Sequence, residues 1–396
     1  MELILAFALG ILVGTITGLI PGIHINLIAT ILLTFLFITQ FPIAVILVFI
    51  TAMAITHTFV DFIPTVFLGA PDEDTGLGIL PGHEFLLKGQ GHQAIKLTII
   101  GSTIAILSLI ILVPLFLLVI PKIYPFIERM LGLFLIWIAI LLILHEKESK
   151  IKATIIFLLA GFLGLASFNL NLQQPLLPLL TGLFGASTII DSIRSKTKIP
   201  PQKIEKLSLK KTELVRPAIS TAIISPFCSF FPGLGSSQAA IMGSEIVGKL
   251  NREQFLILLG SINTLVMSMS FVTLFLIQKS RTGAAAAISQ ITQLNFSQLS
   301  LILTTIFLTS LIAIPLTLQI SKLFAKNIHK IPYVKVSITI LILLTTITIF
   351  FSGFLGLLVF ITATFLGLTA IEFQTRRSFL MGAILIPTIL FYLPFF

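Results

Sequence analysis

Charged residues are scarce in this chain: Asp, Glu, Lys and Arg make up 10% of its 396 residues. A soluble domain of this length carries roughly a quarter, so the scarcity excludes a purely aqueous fold. With 56% hydrophobic residues and a mean hydropathy of +1.11, the chain has lipid as part of its solvent. Cysteine is nearly absent, and the single Cys228 excludes an internal disulfide and any multi-cysteine metal site. One Trp and three Tyr against 35 Phe leave few interfacial anchors and many rings for lipid-facing packing. No window has a period-2 pattern, which argues against a transmembrane barrel. No nucleotide-binding motif is present, so energy for any transport must come from an ion gradient or a partner.

What is there reads as an all-α polytopic membrane protein. The length allows about ten to twelve helices of roughly 20 residues, counting broken or re-entrant half-helices. Met1-Glu2-Leu3 enters an apolar run directly, with no basic region or small-residue cleavage site, and reads as a retained first span. The net charge of +10 is concentrated in short segments. Between Arg194 and Arg216 the chain gathers Arg194, Lys196, Lys198, Lys203, Lys206, Lys210, Lys211 and Arg216, with Glu205 and Glu213. Smaller basic clusters lie at 145–152, 322–330 and Arg376-Arg377. Basic loops stay cytoplasmic, so the excess reads as a topology signal in a plasma-membrane protein and needs no nucleic acid.

The basic stretch 194–216, with Pro200-Pro201 inside it, divides the chain into a first transmembrane repeat (1–193) and a second (217–396). Pro21-Gly22-Ile23-His24 aligns with Pro232-Gly233-Leu234-Gly235. Further on, "ITHTFVDF" (55–62) lies against "SINTLVMS" (261–268), with His57 opposite Asn263. Thr75-Gly76 then falls opposite Thr282-Gly283. A Pro-Gly break, a polar patch in a helix and a Thr-Gly break follow in the same order twice. Duplication of this kind is usual in secondary transporters, with the site where broken helices meet.

Proline removes a backbone donor, and non-helical backbone at membrane depth is tolerated only inside protein or at a wet cavity. The residues that restart the helix, Gly22, His24 and Asn26 in one half and Gly233, Gly235, Ser236, Ser237 and Gln238 in the other, offer N–H groups and a positive dipole end to an anion. Either break could instead be a plain kink. His57 and Asp61 share one helix face. A carboxylate in an apolar setting is a functional candidate, and with Asn263 and Thr264 it could hold a coupling ion. Asp61 could equally sit at the membrane edge, before Pro64 and the acidic Asp72-Glu73-Asp74. Arg281 could bind a carboxylate or snorkel to headgroups. The spacing of His83, Glu84 and His92 matches no common zinc pattern.

With both Pro-Gly motifs in place, the chain resembles the TctA-type large membrane subunit of tripartite tricarboxylate transporters. The opening G-x-x-x-G-x-x-P-G pattern is Gly14-Thr15-Ile16-Thr17-Gly18-Leu19-Ile20-Pro21-Gly22, and the second is Pro232-Gly233-Leu234-Gly235. "LPGHEFLLKGQGHQ" (80–93) is similar to the family's Gly-rich loop, and "GLFGAS" (182–187) to the element closing its first half. The chain is shorter than typical members, and His24 stands where a glycine is expected. The resemblance implies import of carboxylates delivered by an extracytoplasmic solute-binding protein, with a small membrane subunit as partner. The expectation is therefore a non-enzymatic carrier of an organic anion coupled to Na⁺ or H⁺, with no other cofactor. Two alternatives remain open: a carrier of lipid phosphates, and a membrane enzyme on such lipids holding Mg²⁺ through Asp72, Asp74 and Glu84.

Overall fold

The computed structural model describes residues 1–20, 41–69, 75–144, 146, 149–194, 199–205, 207, 209–230, 236–248, 250–280, 282–330 and 333–393. All the described elements are helical. Helix α1 (Glu2–Leu19) presents Gly10, Gly14 and Gly18 to α2 (Ile43–Val60), where they meet Phe49, Met53 and Val60 in turn. The two helices therefore run parallel and close, as small residues every fourth position allow in a membrane. After Asp61 the chain continues as α3 (Phe62–Leu68), passes a short 3₁₀ turn (Gly76–Gly78) and turns back in α4 (Ile79–Leu87).

Helix α5 (Gly91–Leu144) has 54 residues, roughly 80 Å if straight and about twice the thickness of a bilayer. It does not stay straight. Thr98 lies against Gly260, and Tyr124 against Lys279. Leu142, however, lines a cavity together with Arg252, back near the level at which α5 began. The two apolar arms, Gly91–Tyr124 and Gly132–Leu144, thus fold back on each other beside Pro121 and Pro125, whose missing N–H groups release the helix ladder. Helix α6 (Lys150–Asn169) follows, then a turn at 170–175. Next come α7 (Leu176–Leu180), a π-helical turn (Thr181–Ala186) and α8 (Ser187–Arg194).

The connection at 199–205 is held to the turn between α4 and α5 by Gln202 and Lys203. Gln202 Nε2 donates to Leu86 O at 3.0 Å, its Oε1 accepts from Gly91 N at 2.9 Å, and Lys203 N donates to Gly89 O at 2.7 Å. Helix α9 begins at Lys211, inside the basic stretch, and runs to Phe230 with Pro217 and Pro226 within it. Helix α10 (Ser236–Ile246) precedes α11 (Arg252–Ile277), which is started by a capping box of Asn251 and Gln254. Contacts of Thr221 with Ser261 and Ser229 with Thr273 set α9 parallel to α11, as α1 is to α2.

Helix α12 (Gly283–Ile291) is only nine residues long, too short to cross a bilayer. Helix α13 (Phe296–Asn327) leads to α14 (Tyr333–Glu372), which also doubles back. Its bend is Gly353, at φ 63°, ψ −162°, a backbone region open essentially to glycine alone. Ile340 and Phe360, on either side of the bend, are packed into one cluster with Ile189. A 3₁₀ turn (Arg377–Met381) and α15 (Gly382–Tyr392) complete the described chain.

Seven described helical segments are long and apolar enough to span a membrane, with three shorter apolar helices besides. Helix α11 and the α2–α3 segment are the most enclosed of the seven; the outer helices bury far less. The end of each half packs on the other half. Helix α15 lies along α6, through Ile386 on Gly161, and the 181–194 segment lies along the second arm of α14, through Gly182 on Ala363.

Candidate functional site

The two most enclosed segments also carry the polar residues. Pro64 lacks the N–H that would bond Val60 O, so the ladder is interrupted at Asp61. Thr65 Oγ1 donates to Asp61 O at 2.9 Å and covers part of the break. Asp61 is 2% exposed, buried within the protein. Its Oδ2 accepts from Asn263 Nδ2 at 2.8 Å, and the same amide nitrogen lies 3.5 Å from Thr58 O. Asn263 stands near the middle of α11 and is likewise buried.

A chain of hydroxyls runs beside this pair. Thr58 Oγ1 lies 3.3 Å from Thr264 Oγ1, Thr264 Oγ1 donates to Ser102 Oγ at 2.8 Å, and Ser102 Oγ donates to Gly260 O at 3.1 Å. Each hydroxyl has one proton. Thr58 Oγ1 also reaches Ile55 O at 2.9 Å, and either hydroxyl can donate across the Thr58–Thr264 contact. On the other side of α2, His57 Nδ1 lies 3.0 Å from Thr17 Oγ1 of α1. Three predicted residues, Asp61, Asn263 and Thr264, are therefore brought together between α2, α5 and α11, and His57 is buried on the α1 face of α2.

The sequence did not single out Thr58 or Ser102, which join this group, or Thr17, which meets His57. The Thr-Gly breaks occupy matching settings: Thr65 Oγ1 lies 2.7 Å from Thr75 Oγ1, and Ser270 Oγ lies 2.8 Å from Thr282 Oγ1. Of the anion-site residues, Ser236 is buried at the start of α10 and Ser237 and Gln238 share its first turn. Gly22, His24, Asn26, Gly233, Gly235 and Arg281 lie outside the described residues, as do Asp72 to Asp74.

The profile of the Tripartite tricarboxylate transporter TctA family matches residues 4–382. The chain belongs to the TctA family. It is also 30% identical to the protein MJ1079 of Methanocaldococcus jannaschii, over 98% of this chain and 99% of that one. No solved structure matches the chain. Membership of TctA makes this a multi-pass membrane protein and a component of a transporter. A buried carboxylate held by an amide, beside hydroxyl and carbonyl oxygens, is chemistry suited to a proton or a hard cation.

Proposed function

We propose that this TctA-family chain is a secondary carrier of an organic anion, a carboxylate, coupled to Na⁺ or H⁺ through the Asp61–Asn263 zone. The observation that carries this reading is the 2.8 Å contact between Asp61 and Asn263, which joins the polar faces of the two most enclosed helices. A buried carboxylate is costly in a membrane, and here it is kept where both halves of the chain touch. The hydroxyl and carbonyl oxygens beside Asp61 are ligands suited to Na⁺, and its carboxylate is a group that can take H⁺.

The contact pattern supports an inverted duplication of 1–193 and 217–396 about the 194–216 linker. Helix α1 runs with α2 as α9 runs with α11, while α2 and α11 cross in opposite senses, Asp61 meeting Asn263 and Thr58 meeting Thr264. The reciprocal packing of α15 on α6 and of 181–194 on α14 fits the same symmetry. In such carriers the restarted helices of both halves face one substrate. Gly22, His24, Asn26 and Gly233 to Gln238, with Arg281, are the proposed carboxylate ligands. The linker is proposed as cytoplasmic in the plasma membrane, and a solute-binding protein and a small membrane subunit as partners. Catalysis is not part of this reading.

The test is the thermal midpoint of the purified chain against di- and tricarboxylates and phosphates, each in Na⁺ and in K⁺. A ligand that binds only the folded state raises the midpoint. A Na⁺-dependent rise with a carboxylate, absent in Asp61→Asn, is expected. A rise with lipid phosphates alone, or with Mg²⁺ alone, overturns the reading.

A further inference from the structure

A second polar cluster stands apart from the Asp61 zone, around a cavity of about 340 Å³ where α4, the α10–α11 turn and the 376–378 turn come together. Arg252, Arg376 and Arg377 line it, together with Glu84, Glu245 and Ser244. Arg377 is pinned: its Nη1 donates to Phe184 O at 3.3 Å, in the π-helical turn, and to Thr188 Oγ1. The other two guanidiniums are held more loosely. Arg252 meets Glu84 through Nη1, and Arg376 reaches Glu146 Oε2 with Nε at 3.3 Å and Glu245 Oε1 with Nη1 at 4.0 Å. The side chains of Arg252 and Arg376 are 59% and 45% exposed.

We propose that this cavity is a second carboxylate site, in which Arg252 and Arg376 hold an organic acid by exchanging their contacts with Glu84 and Glu245 for the ligand's carboxylates. The inference rests on the carrier reading for its choice of ligand. Three features support the exchange. A guanidinium has five N–H donors in a fixed fork, and Arg252 commits one nitrogen to Glu84. A pair whose guanidinium is largely exposed is weakened by solvent, while a bidentate guanidinium–carboxylate pair is strong and directional, so a ligand carboxylate can compete with Glu84 for Arg252. The cavity also has apolar walls, Leu77, Leu142 and Phe255 among them, which suit the carbon skeleton of such an acid. Glu84 comes from the first half and Arg252 from the second, so the exchange also releases one contact between the halves on this face, while Arg376 keeps Glu146.

The experiment uses the full chain in lipid nanodiscs, with citrate and succinate as probes, inorganic phosphate as comparison, and the thermal midpoint as readout. It is done in Asp61→Asn, where Na⁺-dependent binding is expected to be lost, and a Na⁺-independent response is assigned to the cavity by its sensitivity to Arg252 and Glu84. The half-saturating citrate concentration should rise about tenfold in Arg252→Gln. It should rise also in Arg252→Lys, which keeps the charge beside Glu84 but loses the fork. It should fall several-fold in Glu84→Gln, a gain of affinity that misfolding cannot imitate. The exchange Glu84→Arg with Arg252→Glu should bind as weakly as Arg252→Gln. Absence of a Na⁺-independent response overturns the inference. So does a response unchanged by Arg252→Gln, one restored by the charge exchange, or one made by phosphate alone. A missing Na⁺-dependent response in the wild type, by contrast, counts against the carrier reading and leaves this cavity's binding to be judged on its own.

Discussion

Thr58 and Thr264 are 206 residues apart in the chain, yet their hydroxyl oxygens lie 3.3 Å from each other. The same interval of 206 sets His57 opposite Asn263 when the two halves are written one above the other. In a duplicated fold, equivalent residues touch only at the axis that relates the copies. Under the inverted duplication proposed above, the Thr58–Thr264 contact would mark where that axis passes, with the Asp61–Asn263 bond beside it.

The first prediction concerns that bond. Asn263→Leu removes the amide that Asp61 Oδ2 accepts from, leaving a buried carboxylate poorer by one charge-assisted bond. Asp61→Leu with Asn263→Leu removes both partners. The single Asn263→Leu change should cost about 1–2 kcal/mol, and the double variant should cost less than the two single changes added. A double-mutant cycle of unfolding in mild detergent measures this. A coupling near zero would mean the contact does not hold the two helices together.

A second prediction falls on Ser102, which accepts from Thr264 and donates to Gly260 O. Ser102→Ala leaves the Thr264 hydroxyl without its acceptor while hardly changing volume. Hydroxyl bonds between membrane helices contribute about 0.6 kcal/mol on average, so unliganded stability should fall by no more than about 1 kcal/mol. The half-saturating Na⁺ concentration, read from Na⁺-dependent stabilisation by a carboxylate, should rise, since the change removes one oxygen from the hydroxyl chain beside Asp61 and leaves Thr264 to re-pair. Equal Na⁺ dependence in the variant would remove the hydroxyl chain from the ion site.

The sequence was informative where a residue was out of place in lipid. Asp61, His57 and Asn263 stand out because a carboxylate, an imidazole and an amide are each expensive there; Asp61 and Asn263 are bonded to each other, and His57 to Thr17 of α1. Ser102 could not be read in the same way. Hydroxyls in apolar helices commonly bond the carbonyl four residues back, as Thr103 does to Ile99 O and Ser108 to Ile104 O, and nothing in "GSTIAILS" separates the serine that reaches another helix. The folding-back of α5 was hidden for a similar reason: Pro114, Pro121 and Pro125 are each able to bend it, and the choice is made by what packs beside it. Glu84 and Arg252 meet from opposite halves, a pairing that local pattern does not carry. Glu84 read as a loop carboxylate, and Arg376 as part of a topology signal.

A third prediction is a pH dependence at His83, on α4 outside the spanning segments. Burial holds its pKa below the ordinary value of 6.5 and nearby Arg377 lowers it further, while Asp191 opposes them. The neutral ring is therefore favoured in the folded state, and the unfolded chain takes up more protons below about pH 6.5. Stability contributed here is present above that pH and is lost as the pH falls through it. His83→Gln should flatten the acid side of the midpoint-against-pH curve between about pH 6.5 and 5. An unchanged curve would place the acid sensitivity elsewhere.

The last prediction tests the close approach of α5 to α11. A Cβ added at Gly101 would collide with the carbonyl oxygen of Ile257, and one added at Gly260 would collide with that of Thr98. In both cases the obstacle is backbone, which cannot swing aside as a side chain can, so α5 and α11 must separate. Overpacking of this kind costs about 1–3 kcal/mol, and Gly101→Ala should lose that much against Ser108→Ala, which deletes only a bond within its own helix. The consequence extends to the site, because Gly260 O is the acceptor for Ser102 and Ser102 the acceptor for Thr264. Gly101→Ala should therefore weaken Na⁺-dependent stabilisation more than Gly14→Ala, which crowds Met53 at the α1–α2 contact instead. If both alanine variants lose stability and Na⁺ response in equal proportion, the hydroxyl chain has no special link to the ion, and the effect is packing alone.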